Sequence, residues 1–305
     1  MNELEIKEIE KIIQKFHNNI ELESFLKKEV GIAPCLIMKK NEKSAIFSEL
    51  HHHDLYEILY IESGSVLYII EDKQYVLNAG DMILISPTTL HKLDKTLTNS
   101  STRVVLTFSE SYARSYNTEN SDLLKAFKIA NKRKMAKITF ESGLKKAIEK
   151  YINMMLDLQF SKEYGDDLIC KLRFLQLMII INKEYLQLTD EKAMFSSNHP
   201  LSDTIDYIDK NLDKKITIKD LADRLSLSES RMSHLFKEQA DISIIKFINK
   251  KRLIRAKELI RKGINISSIH TLVGFQDNTS FYRAFKKEYG ITPKTYLKNY
   301  QLSQE

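Results

Sequence analysis

The sequence predicts an α+β multidomain chain: a β-barrel with a helical segment, then a linker, then an all-α domain built from two helix-turn-helix units. Three observations carry that expectation. From Ala33 to Phe108 the apolar residues fall in short runs with the two-residue period of half-buried strands, whereas residues 120–188 and everything beyond Pro200 have the helical period. Charge is unevenly divided, with 20 Lys+Arg against 13 Asp+Glu in residues 200–305 and 27 against 28 in the rest. At 305 residues, 43% of them hydrophobic, the chain can bury two separate cores.

Residues 3–29 place Leu4, Ile9, Ile12, Ile13, Phe16 and Ile20 at helical spacing, which predicts an amphipathic N-terminal helix. The runs CLIMK, AIFSEL, YEILYI, SVLYII, QYVL, DMILI and RVVLTF follow, separated by Ser63-Gly64, Asn78-Ala79-Gly80 and Ser86-Pro87. Seven short strands so spaced predict a sandwich or barrel. Next come two helices, one with the stripe Leu144, Ile148, Ile152, Met155 and one with Leu168, Leu172, Leu175, Ile179, joined by a turn at Tyr164-Gly165. The second also carries Phe174, Leu177, Met178, Ile180 and Ile181, so it needs cover on more than one face. The barrel supplies one cover, and either a second copy of the chain or the rest of its own domain supplies the other. The polar, aperiodic TDEKAMFSSNHP reads as a linker. The expected domains are 1–188, a sensor and dimerisation unit; 189–200, the linker; and 201–305.

Several classes are disfavoured. The two cysteines, Cys35 and Cys170, form no CxxC and read as reduced core thiols. The start MNELEIKEIEK lacks the basic and apolar regions of a signal peptide. The most apolar segment, Phe174–Ile181, is far shorter than the roughly 20 residues of a membrane helix. A soluble, cytoplasmic protein with no membrane partner is expected.

In the C-terminal hundred residues, ITIKDLADRLSLSESRMSHLFKEQ and INISSIHTLVGFQDNTSFYRAFKKEYG share one plan: short helix, tight turn, longer helix. Thr217 with Asp220 fits a capping box, while Ser228, Asn265 and Asp277 fit N-caps and Gly290 a helix stop. Two such units joined by a helical rod, Ile244–Ile260, in the basic part of the chain predict two recognition helices. A rod of that length, roughly 25 Å, suits adjacent major grooves about 34 Å apart. Residues 201–300 resemble the DNA-binding domain of the AraC/XylS family of bacterial transcription regulators. The matching residues are LADRLSLS…LFK, then Arg252, Leu253, Ala256, Leu259 and Ile260, then Gly274, Phe275, Asp277, Phe281, Phe285, Lys286, Lys287, Gly290, Pro293 and Tyr296. Departures are His270 for alanine, Ser226 and Asp241 for glycines at turns, and Leu297 for arginine.

With Met232, Leu235 and Phe236 turned inward on one long helix and Phe281, Ala284 and Phe285 on the other, the outward residues are Ser230, Arg231, Ser233, His234 and Lys237, and Asn278, Thr279, Ser280, Tyr282, Arg283 and Lys286. The resemblance implies that Ser230, Ser233, His234, Thr279, Ser280 and Arg283 approach base edges. Arg283 is suited to a bidentate contact with guanine, and Lys237, Lys286 and Lys287 to phosphates. A solvated surface position is the plain alternative for each lysine.

The stretch ELHHHDLYEILYIESG remains. In an extended strand His51, His53 and Glu57 would share one face. The string His51-x-His53-x3-Glu57-x6-Gly64 resembles the first cupin motif, and GDMILISPTTLH, ending at His91, resembles the second by spacing. That resemblance implies a cupin-like barrel in which His51, His53, Glu57 and His91 occupy divalent-metal positions. Three readings stay open: a metal site, an organic-effector pocket using some of the same groups, and a structural role. No resident cofactor and no catalytic residue is expected on the leading reading, a DNA-binding regulator, by default an activator. Its partners would be promoter DNA, RNA polymerase, a small effector and a second copy of itself. The alternative is a metal-dependent cupin enzyme with an accessory DNA-binding tail.

Overall fold

The computed structural model describes residues 35–42, 50–191 and 200–302, which form two compact units. The helix expected over residues 3–29 and all of AIFSEL except Leu50 lie outside the described residues.

The first unit contains β1 (Cys35–Glu42), β2 (Tyr56–Ser63), β3 (Ser65–Ile70), β4 (Lys73–Asn78), β5 (Asp81–Ile85), β6 (His91–Thr96), β7 (Ser101–Phe108) and β8 (Lys137–Thr139). Two sheets result, ordered β1-β7-β2-β5-β8 and β4-β3-β6. The pairs β1/β7, β2/β7, β2/β5 and β3/β6 are antiparallel. β2 is central, so it is covered on both faces and its first six residues are all buried. Tyr56, Ile58 and Tyr60 face a cluster shared with the helices, while Leu59 and Ile61 face an interior cluster with Val66, Tyr68, Leu77, Ile83, Ile85, Leu93 and Val105. Each fully buried Ile or Leu of this set contributes about 1.5–3 kcal/mol. The β2–β3 turn requires glycine: Gly64 has φ +78°, and a Cβ there would stand 2.4 Å from the Ser100 carbonyl oxygen.

The remaining elements are α1 (Glu110–Arg114), α2 (Lys125–Arg133), α3 (Ser142–Leu158) and α4 (Asp166–Glu191). On α3, Ile148, Ile152 and Met155 are buried as the stripe predicts. On α4 the buried face is Phe174, Leu177, Met178, Ile181 and Tyr185, whereas Leu168, Leu172 and Ile179 are 58%, 57% and 45% exposed. The segment read as a linker is helical at both margins, since α4 runs through Glu191 and Pro200 opens the next helix. Proline suits a first helical position, where its missing N–H has no partner to lose.

The second unit comprises α5 (Pro200–Lys210), α6 (Ile218–Arg224), α7 (Glu229–Ala240), α8 (Ile244–Arg261), α9 (Ile266–Leu272), α10 (Asn278–Tyr289) and α11 (Pro293–Leu302). α6–α7 and α9–α10 are the two helix-turn-helix units. The capping box of Thr217 and Asp220 is formed, and Ser228, Asn265 and Asp277 each accept a backbone N–H at their helix starts. Ser226 and Asp241 adopt the left-handed conformation (φ +53° and +57°) that glycine takes without strain, at a cost of about 1–2 kcal/mol for the serine and less for the aspartate. His270 stays at the surface, its Nδ1 2.9 Å from the Ser267 carbonyl oxygen, so the larger side chain needs no space in the packed angle. Leu253, Ala256 and Ile260 of α8 pack with Ile269, Val273, Phe281, Phe285 and Tyr296, giving the second helix-turn-helix its core.

Candidate functional site

In the barrel, β2 supplies Glu57, the start of β6 supplies His91, and the loop ahead of β2 supplies His53. β2 begins at Tyr56, so His51 and His53 do not reach the site by strand alternation as the sequence suggested. His53 instead folds back over one turn of loop and sets its Nε2 2.8 Å from Glu57 Oε2, while its Nδ1 lies 2.9 Å from the Leu55 carbonyl oxygen. His91 Nδ1–H donates to the Thr89 carbonyl at 2.8 Å. That leaves its Nε2 as a lone pair, 3.9 Å from Glu57 Oε2, buried and without a hydrogen-bond partner among the described residues. An unsatisfied buried polar atom costs roughly 1–3 kcal/mol, so a ligand that meets it gains in proportion.

His51 is exposed. Its backbone exchanges two hydrogen bonds with His91, at 3.0 and 2.9 Å, and its ring centroid lies 4.4 Å from that of His91. The donor atoms of His53, Glu57 and His91 all lie within 4.8 Å of one another, and His51 is outside that group. The hydroxyl of Tyr68, which the sequence did not single out, donates a long bond of 3.4 Å to Glu57 Oε1. Arg103, also missed, is buried on β7 two residues from the interior Val105, and its charge partly offsets the effect of Glu57 on Tyr68. The period-2 alternation of STRVVLTF could have placed Arg103 inside, had its register been known.

Charge states follow from burial and contact. Burial would raise the Glu57 carboxyl, but the His53 hydrogen bond and the neighbouring imidazoles hold it well below the usual carboxylate range. Burial would lower His53, and the Glu57 hydrogen bond and charge overcome it and raise it. His91 is pushed down to about 3, chiefly by burial, with His51 adding to the effect. The cluster is therefore a carboxylate beside one imidazole whose protonation it favours and a second whose protonation burial opposes. With the Nδ1 of both rings engaged by backbone carbonyls, the two Nε2 atoms and the carboxylate fit a divalent transition metal by donor type and by the unmet lone pair of His91. The same acceptors fit the hydroxyl or N–H groups of an organic ligand.

On the helical unit, Ser230, Arg231, His234 and Lys237 of α7 are exposed and Ser233 half-buried, while Asn278, Thr279, Ser280, Arg283 and Lys286 of α10 are all exposed. Met232 and Phe236, and Phe281 and Phe285, are fully buried on the opposite faces. Ser280 is committed to capping: its N–H and Oγ donate to Asp277 at 2.7 and 2.8 Å, which leaves its hydroxyl less available to a base edge. An open groove of about 420 Å³ is lined by Asn278, Thr279, Tyr282, Arg283, Lys286 and Thr292. Thr292, beyond the helix, was not readable as part of this surface. His234 Nδ1 stands 3.8 Å from the Glu238 carboxylate.

A barrel with an enclosed polar cluster, joined in one chain to a pair of helix-turn-helix units, defines a ligand-responsive DNA-binding protein. The model of the AraC-like ligand binding domain matches residues 41–177, and that of a helix-turn-helix domain matches residues 221–299. The chain belongs to the AraC family of transcription regulators. It is 34% identical over 136 residues to the probable transcriptional regulator LumQ of Photobacterium leiognathi, a match covering 44% of this chain and 54% of LumQ. It is 20% identical over 245 residues to the transcriptional activator RhaS of Escherichia fergusonii, covering 80% of this chain and 85% of RhaS. An apo crystal structure of ToxT from Vibrio cholerae aligns over 87% of this chain and 97% of its own at 15% identity and a TM-score of 0.40. LumQ and RhaS are named as a transcriptional regulator and a transcriptional activator, so the cupin-enzyme alternative is set aside. Among the described residues no helix is long and apolar enough to cross a membrane.

Proposed function

We propose that this chain is a cytoplasmic activator that binds promoter DNA through α7 and α10 and answers to a small effector held in its barrel. The observation that carries this reading is the pair of capped helices, each with a buried apolar face and an exposed polar one. Arg283, exposed at the middle of α10, is placed to meet a guanine edge, and a bidentate contact there is worth about 1–3 kcal/mol of discrimination. Lys237 and Lys286, in the last turns of their helices, fit phosphates, which set register and salt dependence. Activation follows from placing RNA polymerase beside the occupied site.

The effector meets the Glu57 carboxylate and the free lone pair of His91, with His53 locking the carboxylate in place and His51 at the rim. A second reading is favoured by the spacing of donor atoms: a divalent metal held by His53, Glu57 and His91, supplying Lewis-acid sites for the effector's own oxygens. A thermal-shift screen of metabolites, run with and without Zn²⁺, Mn²⁺ or Ni²⁺ on metal-stripped protein, separates the two. Stabilisation by metal alone supports the second, and stabilisation by an organic compound in its absence supports the first.

The exposed Leu168, Leu172 and Ile179 face of α4 supports a homodimer. Such a stripe on a helix whose other face is already buried is what a partner copy would cover. Sedimentation of the full chain tests it.

A further inference from the structure

Arg252 belongs to the run that marks α8, yet it joins neither recognition surface nor the apolar core. Its guanidinium is half-buried, and desolvation lowers its pKa from the ordinary arginine value. Nε donates to the Leu212 carbonyl at 3.1 Å and Nη2 to the Lys214 carbonyl at 2.7 Å, both in the turn that leads from α5 into the first helix-turn-helix. The same guanidinium carbon stands 5.9 Å from the ring centroid of Phe275, in the turn of the second. Between them lies Gly274, with φ +75°; a Cβ there would come within 2.2 Å of the Leu212 oxygen and 2.7 Å of Arg252 Nη2. One side chain on the connecting rod thus grips the turn ahead of the first unit and abuts the turn inside the second. A parallel link, the ion pair of Lys250 with Glu288, ties the same rod to α10.

We propose that Arg252 is the positioning residue that fixes the separation and angle of α7 and α10, so that one chain reads two half-sites at a single spacing. The inference rests on the DNA-binding reading above. A planar guanidinium donates from two separate nitrogens held in a fixed geometry, which the single ammonium nitrogen of a lysine does not reproduce, so geometry as well as charge is required. Binding two half-sites through a rigid rod converts the second contact into an intramolecular one. That gain disappears when the two helices lose their register.

The test uses the full chain and an operator selected by wild-type protein from random duplexes. Four duplexes are compared: the operator, the operator with one base pair inserted between half-sites, and each of the two half-sites alone. Wild type should lose about tenfold or more on insertion. Arg252→Met and Arg252→Lys should both bind the intact operator about tenfold more weakly, discriminate the inserted one by less than about threefold, and keep half-site affinity within about threefold. If Arg252→Met keeps the wild-type spacing penalty the inference is wrong and the side chain is dispensable, and if Arg252→Lys alone keeps it the inference is wrong and charge is what matters. Equal losses on half-sites and operator would also overturn it, pointing to a phosphate contact or to misfolding. Failure of wild type to select any two-part operator would instead overturn the DNA-binding reading itself, and this inference with it.

Discussion

The Nε2 atom of His91 lies 3.9 Å from the Oε2 of Glu57, the oxygen that His53 already contacts at 2.8 Å. One carboxylate oxygen therefore faces two imidazoles of opposite character. The contact favours protonation of His53, whereas burial opposes protonation of His91, which is deeper, is tied through Nδ1 to Thr89 and keeps an unmet lone pair.

Glu57→Gln removes the charge that favours protonation of His53 and takes the carboxylate from the Nε2 of that half-buried ring. A loss of about 3 kcal/mol in unfolding free energy is expected at pH 7, together with loss of any ligand-induced thermal shift. Urea titration of the variant and wild type checks it; an unchanged ligand shift in a folded variant would remove Glu57 from the effector site.

His91 gives the pH dependence a sign. Its folded pKa of about 3 lies below its ordinary 6.5, so between those values the folded state binds fewer protons than the unfolded one. Stability from this residue is full above pH 6.5 and falls as pH drops, by up to about 1.4 kcal/mol per unit. His53, raised, acts oppositely: its contribution is present below 6.5 and is lost as pH rises through its folded value. His91→Gln should flatten the decline between pH 6.5 and 4 relative to wild type, read from unfolding free energies at several pH values.

Arg283→Ala should relax specificity at one base pair, with a loss of about 1–3 kcal/mol confined to the cognate base. Lys286→Ala should weaken all sequences alike and reduce the salt slope by about one. Affinities for a set of single-base operator variants at two salt concentrations decide between them; equal base preferences for Arg283→Ala and wild type would remove Arg283 from base readout.

Leu172→Lys, on the exposed stripe of α4, should weaken self-association while changing monomer stability by no more than about 0.5 kcal/mol. Leu177→Ala, on the buried face of the same helix, should cost about 2–5 kcal/mol. Sedimentation equilibrium and denaturant unfolding of the two variants give the comparison.

The sequence carried the helical unit almost residue by residue, because caps and turns are local. Thr217, Ser228, Asn265 and Asp277 act on backbone groups two or three positions away, and Gly274 and Gly290 adopt the positive φ that their places suggest. The barrel was legible where strands are apolar and obscure where they are not. HKLDKT, which became β6, and the three-residue β8 carry little apolar alternation and owe their form to pairing with β3 and β5. The site suffered the same loss. Glu57 and His91 were readable from spacing, but Tyr68 and Arg103 reach it only through sheet register, and His53 arrives by a loop where alternation does not apply. The two faces of α4 were likewise indistinguishable in sequence, since Leu168 and Leu177 look alike until a neighbour is given.

The most direct test of the central claim is selection of random duplex DNA by the full chain, followed by footprinting of the enriched sequence. Two half-sites with centres about one helical turn, 10–10.5 base pairs, apart and protected on one face of the duplex are the predicted result. No enriched sequence, with affinity set by salt alone, would contradict it.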